Sequence, residues 1–221
     1  TNNNNNTNNN NNTINNTINN NSLWIKVCGI RDTASARTVA GGGVNAIGLN
    51  FHAPSPRSIS VAVAKEIVAS LPSEVEPIGL FVNHTAADIR DIAQHCGLRT
   101  IQLHGDEPPE FLAELPEFRL LRAFRVNHTG LDEVARYLER CHELNSLPWA
   151  CLLDAKVEGA YGGTGHVAPW ELIRRDYRRA EWPRLILAGG LGPDNVARGI
   201  STAQPWGVDV ASGVESSPGV K

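Results

Sequence analysis

The stretch WIKVCGIRDTASA, residues 24–36, decides between two architectures. Apolar or β-branched residues alternate with Lys26 and deliver Cys28 to what reads as a strand end; a segment of helical period begins at Thr33. A doubly wound open sheet normally starts with a glycine fingerprint directly after its first strand, and CGIRDTASA is not one. The open sheet is therefore the weaker alternative from the first strand onward.

Outward from this stretch the same rhythm repeats. Strand-like runs are WIKVC, VNAIGLN, EPIGLFV, RTIQLH, FRLLRAF, WACLLD, RLILAG and WGVDVAS. Helix-like segments lie between them, at 33–40, 61–71, 86–96, 109–115, 131–144, 169–177 and 193–200. Thr85 stands as a cap before AADIRDIA, and Gly192-Pro193-Asp194 is expected to open the last helix. Continuous apolar strands joined by helical crossovers want a parallel sheet covered on its outer face, and eight such units in one chain predict an α/β fold of the (β/α)8 TIM barrel type. The eighth strand is followed only by GVESSPGVK, so the barrel is expected to lack its last helix by truncation, leaving a bare outer strand face that lowers stability or invites association.

Two domains are expected: an Asn-rich disordered segment, 1–21, and the barrel, 22–221. The chain contains no methionine, so it is expected to lack its translational start, with the Asn tract a linker or an added remnant. A net charge of -3 gives no basic field to gather phosphodiesters, which argues against nucleic acid as a partner. No apolar run is long enough to span a membrane and no secretory pattern leads the chain, so a cytoplasmic protein is expected. Cys28, Cys96, Cys141 and Cys151 have no paired spacing; they read as free thiols rather than as metal ligands or disulfides.

Barrels build their sites at the C-terminal ends of the strands. Those ends carry Cys28, Asn50, Asn83, His104 with Asp106, Asp154, Gly189-Gly190 and Ser212-Gly213, with the fifth strand ending at Phe124-Arg125. Three small-residue loops, YGGTG (with Gly162, Gly163 and Gly165), LAGGLGPDN (with Gly189 and Gly190) and ASGVESSPG (with Ser212 and Gly213), sit where barrels often hold a phosphate. Each alone could be a turn; together they predict a phosphorylated small-molecule substrate. Cys28 and Asp154 then stand on well separated strands with the substrate between them, the arrangement a proton-shuffling isomerase needs. Cys28 could equally be a small buried hydrophobe, and Asp154 a loop-fixing acceptor. Arg57, on the Pro-bounded loop HAPSPRSIS, could clamp a carboxylate or simply be a surface charge. His104 reads as a polar wall residue of the substrate site.

KVCGIRD, GLNFHAPSPRSIS, PIGLFVN, IQLHGDE, LLDAKVEGAYGGTG, LILAGGLGPDNV and VDVASGVESSPGVK, spread from Trp24 to Lys221, together resemble the phosphoribosylanthranilate isomerases of tryptophan biosynthesis. The resemblance implies an Amadori rearrangement with Cys28 as general base, Asp154 as general acid, Arg57 on the anthranilate carboxylate and the glycine loops on the phosphate. It implies no metal and no organic cofactor, and leaves monomer and homodimer open. It asks for a Cys28 thiol more acidic than usual, for which Lys26 and the substrate's iminium charge are candidate sources, and for an Asp154 that holds its proton. The rivals are another sugar-phosphate barrel enzyme, which would want an aspartate at position 28 or a strand-end lysine acid, and a non-catalytic phosphate-ligand module.

Overall fold

The computed structural model describes residues 23–155 and 167–221. Among them eight parallel strands close into a barrel in chain order: β1 (Trp24–Cys28), β2 (Ala46–Asn50), β3 (Glu76–Phe81), β4 (Thr100–Leu103), β5 (Arg119–Val126), β6 (Ala150–Ala155), β7 (Arg184–Leu187) and β8 (Gly207–Val210). Seven α-helices among the same residues join them: α1 (Thr33–Gly41), α2 (Val61–Ser70), α3 (Ala86–Cys96), α4 (Pro109–Ala113), α5 (Asp132–Glu143), α6 (Trp170–Asp176) and α7 (Val196–Ala203). The barrel predicted from the alternation is the barrel observed. The expected Asn-rich segment and Gly162, Gly163 and Gly165 lie outside the described residues.

Side chains of successive strand residues alternate between the barrel interior and the helix layer. On β1 this sends Val27 outward, into a layer with Ile47, Leu49 and Ile67, and Lys26 and Cys28 inward. The middle of the interior is filled by Ala46, Ile78, Leu121, Ala150, Leu152 and Ile186, so the barrel is a packed core. Its floor, at the strand N-terminal ends, is aromatic: Trp24 stacks on Trp206 at 5.3 Å, Trp149 meets Trp206 edge-on at 5.2 Å, and Arg184 lies over both Trp149 and Trp206.

Helix starts follow their caps. Asp32 accepts from the Ser35 N–H at 2.7 Å, and Thr85, as expected, accepts from the Asp88 N–H at 3.1 Å. The last helix departs from expectation and begins at Val196 rather than Pro193. Asn195 explains the delay: its side chain accepts from the Gly192 N–H at 2.9 Å and donates to the Gly190 carbonyl at 2.8 Å, which spends residues 190–195 on a closed loop.

After β8 the chain makes a short 3-10 turn (Ser212–Val214) and runs to Lys221. The bare outer strand face expected there is not found. Val208 and Val210 are 3% and 8% exposed and belong to a cluster against which Leu23, Ile25 and Ile200 also pack. Closure is complete, with β8 registered on β1 over four residue pairs, among them Lys26 opposite Asp209.

Candidate active site

A concavity of about 630 Å3 opens on the floor between Leu23, Tyr177, Trp182, Arg184 and Trp206, and its lining includes no carboxylate, thiol or histidine. The chemistry lies at the other end. There one smaller cavity is lined by Cys28, Arg57, His104, Asp154, Gly189, Gly190 and Ser212, contributed by six different strands or the loops behind them. Those sequence candidates therefore share one space; Gly213 follows Ser212 in the 3-10 turn beside it.

Cys28 is 7% exposed at the end of β1. The neighbouring strand makes room for it: Cys28 is in register with Gly48, and a Cβ on Gly48 would stand 2.5 Å from the thiol sulfur. Burial pushes the Cys28 thiol above its ordinary value, opposed by the Lys26 ammonium beside it. The acidic thiol expected from the resemblance is thus not a property of this environment, because desolvation of the thiolate outweighs the lysine. The other cysteines are also buried and free; burial holds Cys141 at about 11 and Cys151 at about 12.

Asp154, 6% exposed at the end of β6, accepts from the Ala155 N–H at 2.8 Å through one oxygen. Its second oxygen lies 3.6 Å from Nε2 of His104. His104 is fixed from behind by Gln102, whose amide donates to Nδ1 at 2.9 Å, which puts the ring proton on Nε2. Nε2 is buried and makes no hydrogen bond, so it is a donor held ready over the cavity. Gly189 closes the wall beside Asp154 with φ +83°, and a Cβ there would stand 2.8 Å from the carboxylate.

Arg57 is positioned by a relay from β2. Asn50 donates to Ser55 Oγ at 3.1 Å, and Ser55 Oγ accepts the Arg57 N–H at 3.2 Å. The guanidinium then donates Nε and Nη2 to the two oxygens of Glu215 at 2.8 and 2.7 Å, a bidentate pair that leaves Nη1 unbonded among the described residues. Lys221 joins the same carboxylate at 2.9 Å and the Ala211 carbonyl at 2.9 Å. Burial alone would raise the Glu215 carboxyl, but its bonds to Arg57 and Lys221 win and hold it below the ordinary value.

Two strand-end residues are drawn elsewhere. Asn83 takes φ 54° and accepts the Asp106 N–H at 2.7 Å, and Asp106 turns outward to Arg125, so these three clasp the β3, β4 and β5 loops together outside the cavity. Gln102, Glu215, Gly48 and Asp209 were not foreseen as parts of the site. Gln102 carried a signal, since it precedes His104 by two and must share its face.

The N–H groups of Gly189, Gly190, Ser212 and Gly213, on the loops after β7 and β8, make no hydrogen bond to another described residue. No group of three or more His, Cys, Asp and Glu among the described residues could hold a metal ion, and no helix there is long and apolar enough to cross a membrane.

A closed parallel barrel with a thiol, a carboxylate, a guanidinium and glycine-containing loops lining one cavity at its C-terminal end has the build of a barrel enzyme acting on a small anionic substrate. The family model for N-(5'-phosphoribosyl)anthranilate isomerase matches residues 25–221. The N-(5'-phosphoribosyl)anthranilate isomerase of Geobacter sulfurreducens is 42% identical over 198 residues, covering 89% of this chain and 91% of its own. A phosphoribosyl anthranilate isomerase crystallised with reduced 1-(o-carboxyphenylamino)-1-deoxyribulose 5-phosphate superposes with a TM-score of 0.76 at 32% identity, covering 90% of this chain and 92% of the other. Monomers generated from the dimeric enzyme of Thermotoga maritima give 0.74 at 34% identity, with coverage of 90% and 92%. The chain belongs to the phosphoribosylanthranilate isomerase family, isomerases of tryptophan biosynthesis.

Proposed function

We propose that the chain catalyses the Amadori rearrangement of N-(5-phosphoribosyl)anthranilate to 1-(2-carboxyphenylamino)-1-deoxyribulose 5-phosphate, with Cys28 as general base and Asp154 as general acid. The observation that carries this reading is that Cys28, Asp154, His104 and Arg57 line one cavity beside the unbonded amides of the seventh and eighth strand loops. A relative crystallised with a reduced form of that product supports the same ligand class here.

The phosphate is held by the amides of Gly189, Gly190, Ser212 and Gly213, and the free Nη1 edge of Arg57 takes the anthranilate carboxylate. Asp154 in its acid form donates a proton to the ribose ring oxygen as the bond from that oxygen to carbon 1 breaks, and the anilino nitrogen lone pair closes an iminium. His104 Nε2–H steadies the carboxylate left on Asp154. Cys28 as thiolate then removes the proton from carbon 2; the C–H electrons form the double bond between carbons 1 and 2 and the iminium is neutralised. The resulting enol gains a proton at carbon 1, loses one from the oxygen on carbon 2, and becomes the ketone. The iminium charge adds to the pull of Lys26 and Lys221 on the buried thiol, so Cys28 ionises in the complex. No metal or organic cofactor is called on by these steps.

The reading also covers the setting. One barrel domain, 22–221, works in the cytoplasm, where four free buried thiols stay reduced. The reading holds for a monomer or a homodimer. The test is the fluorescence decay of phosphoribosylanthranilate generated in situ. The parent should turn over, and Cys28→Ala and Asp154→Asn should each lose about 100-fold or more in kcat. Variants that keep full activity would overturn the assignments.

A further inference from the structure

We propose that the buried Lys26–Asp209 ion pair beneath the mouth is the device that lets Cys28 work as a base, with Lys26 a positioning residue that holds the charge of the thiolate. The proposal rests on the reading of Cys28 as the general base.

Lys26 is 0% exposed, and Asp209 is 8% exposed. They meet inside the barrel at 2.9 Å, across the seam where β1 and β8 close. The middle layer beside them is apolar, built from Ala46, Ile78, Leu121, Ala150 and Ile186. An ion pair there costs desolvation that an apolar pair of similar volume would not, so stability alone does not account for it. Its position does. Lys26 lies two residues before Cys28 on the same inward face, its partner Asp209 lines the same cavity as the thiol, and the ammonium favours ionisation of that thiol. An ammonium has three N–H donors. Among the described residues the hydrogen-bond acceptor of its ammonium is Asp209 Oδ1, which leaves N–H donors for the charge that forms on Cys28.

The two charges have opposite tasks. Burial works against the charge on Lys26, but the Asp209 carboxylate and Cys28 together outweigh burial and favour the ammonium. Asp209 in turn works against ionisation of Cys28, while Lys26 favours it. The other charged or titratable groups around the thiol are Arg57 from the loop after β2, Lys221 from the end of the chain, His104 at the end of β4 and Asp154 on β6. β2 brings Gly48 and Asn50 and β3 brings Leu80, with Val82 just beyond it, so neither strand adds an ionisable group there. Of the cations around it, Lys26 acts most strongly on the thiol. The pair therefore acts as a counter-ion stored in the core, neutral as a unit until the thiol gives up its proton.

The experiment measures the pH dependence of Cys28 alkylation, followed on the Cys28 peptide by mass spectrometry, together with kcat and KM. It compares the full chain with Lys26→Met, Asp209→Asn and the double variant Lys26→Met/Asp209→Asn. The expected shifts have opposite signs: upward by about one pH unit or more in Lys26→Met, which is tenfold in thiolate fraction, and downward in Asp209→Asn. The double variant should follow Lys26→Met, with kcat at neutral pH down about tenfold and KM little changed. A purely structural pair would lower the yield of folded protein but move the alkylation profile in neither direction. If Lys26→Met does not fold because it strands a buried carboxylate, the nearly isosteric Asp209→Asn still decides by the sign of its shift. Profiles that coincide with the parent's overturn the proposal. Should Cys28→Ala keep its activity, the general-base reading falls, while the alkylation shifts still report on the ion pair alone.

Discussion

The two ends of the barrel are built from the same eight strands and could hardly differ more. At the floor, Trp24, Trp149 and Trp206 stack with Arg119 and Arg184 over their faces, and Arg119 and Thr100 share Glu76, so polar atoms and rings find partners within the layer. At the mouth, His104 Nε2 and Gln102 Oε1 are buried without a hydrogen bond, and four loop amides point at no described acceptor. Unmade hydrogen bonds cost folding free energy; Arg122 Nε, Ser146 Oγ and Trp170 Nε1 are buried unpaired elsewhere, but those of His104 and Gln102 stand where a ligand can complete them. The lesson is a division of labour along one axis: the floor stabilises, the mouth is left unfinished.

That contrast makes measurable claims. The largest effect belongs to the mouth: Asp154→Asn should lose about 100- to 10,000-fold in kcat with a Tm close to the parent's, and a large drop in Tm would mean the carboxylate is structural after all. Next comes Arg57→Ala, expected to raise KM about 10- to 100-fold with kcat nearly unchanged, the loss of one charge-assisted contact. An unaltered KM would return Arg57 to the role of a partner for Glu215 alone. The floor should answer the other way. Trp149→Ala is expected to cost about 2 kcal/mol in denaturant unfolding and to leave kcat/KM within about twofold. Loss of activity in a folded Trp149→Ala protein would erase the distinction between the two ends.

The smallest effect concerns the clasp of Arg57, Glu215 and Lys221. The Glu215 carboxyl is depressed in the folded chain, so its contribution to stability is present above the ordinary glutamate value near about 4.3 and is lost as pH falls through the lower folded value. Glu215→Gln should therefore melt below the parent at pH 7, with the gap narrowing toward pH 3. A gap independent of pH would show that the contact works by packing. The raised Cys28 thiol has its own signature: kcat/KM, which reports the free protein, should keep rising with pH through and beyond the ordinary thiol range near about 8.5, rather than levelling off at neutrality. A plateau already at pH 7 would indicate that some other group sets the base.

Much of this was legible in the sequence because the fold is periodic. The alternation of apolar runs and amphipathic segments specified the barrel, and the rule that barrel sites sit at strand C-terminal ends picked out Cys28, Asp154 and His104. Contacts between elements far apart in the chain escaped. Nothing local to Arg57 points to Glu215, and nothing local to Cys28 points to the bare Cα of Gly48. A strand end specifies only height in the barrel: Asn83 and Asp106 stand at strand ends, yet they bond to each other and do not line the cavity with Cys28. One signal was present and unused. Lys26 and Asp209 are single opposite charges embedded in otherwise apolar runs, on the first and last strands, and closure of an eight-stranded barrel makes those strands neighbours.

That pair has a consequence for how the protein is made. Lys26 and Asp209 are separated by 183 positions, so on a ribosome adding about 5 to 20 residues per second the lysine waits on the order of ten to forty seconds for its carboxylate. Until then β1 has no partner on one edge and a charge that cannot be buried without a large desolvation cost, which favours keeping the nascent barrel open and hydrated at that seam. The last strand to be synthesised is thus also the one that neutralises the first, and ring closure and charge neutralisation become a single late event in the life of the chain.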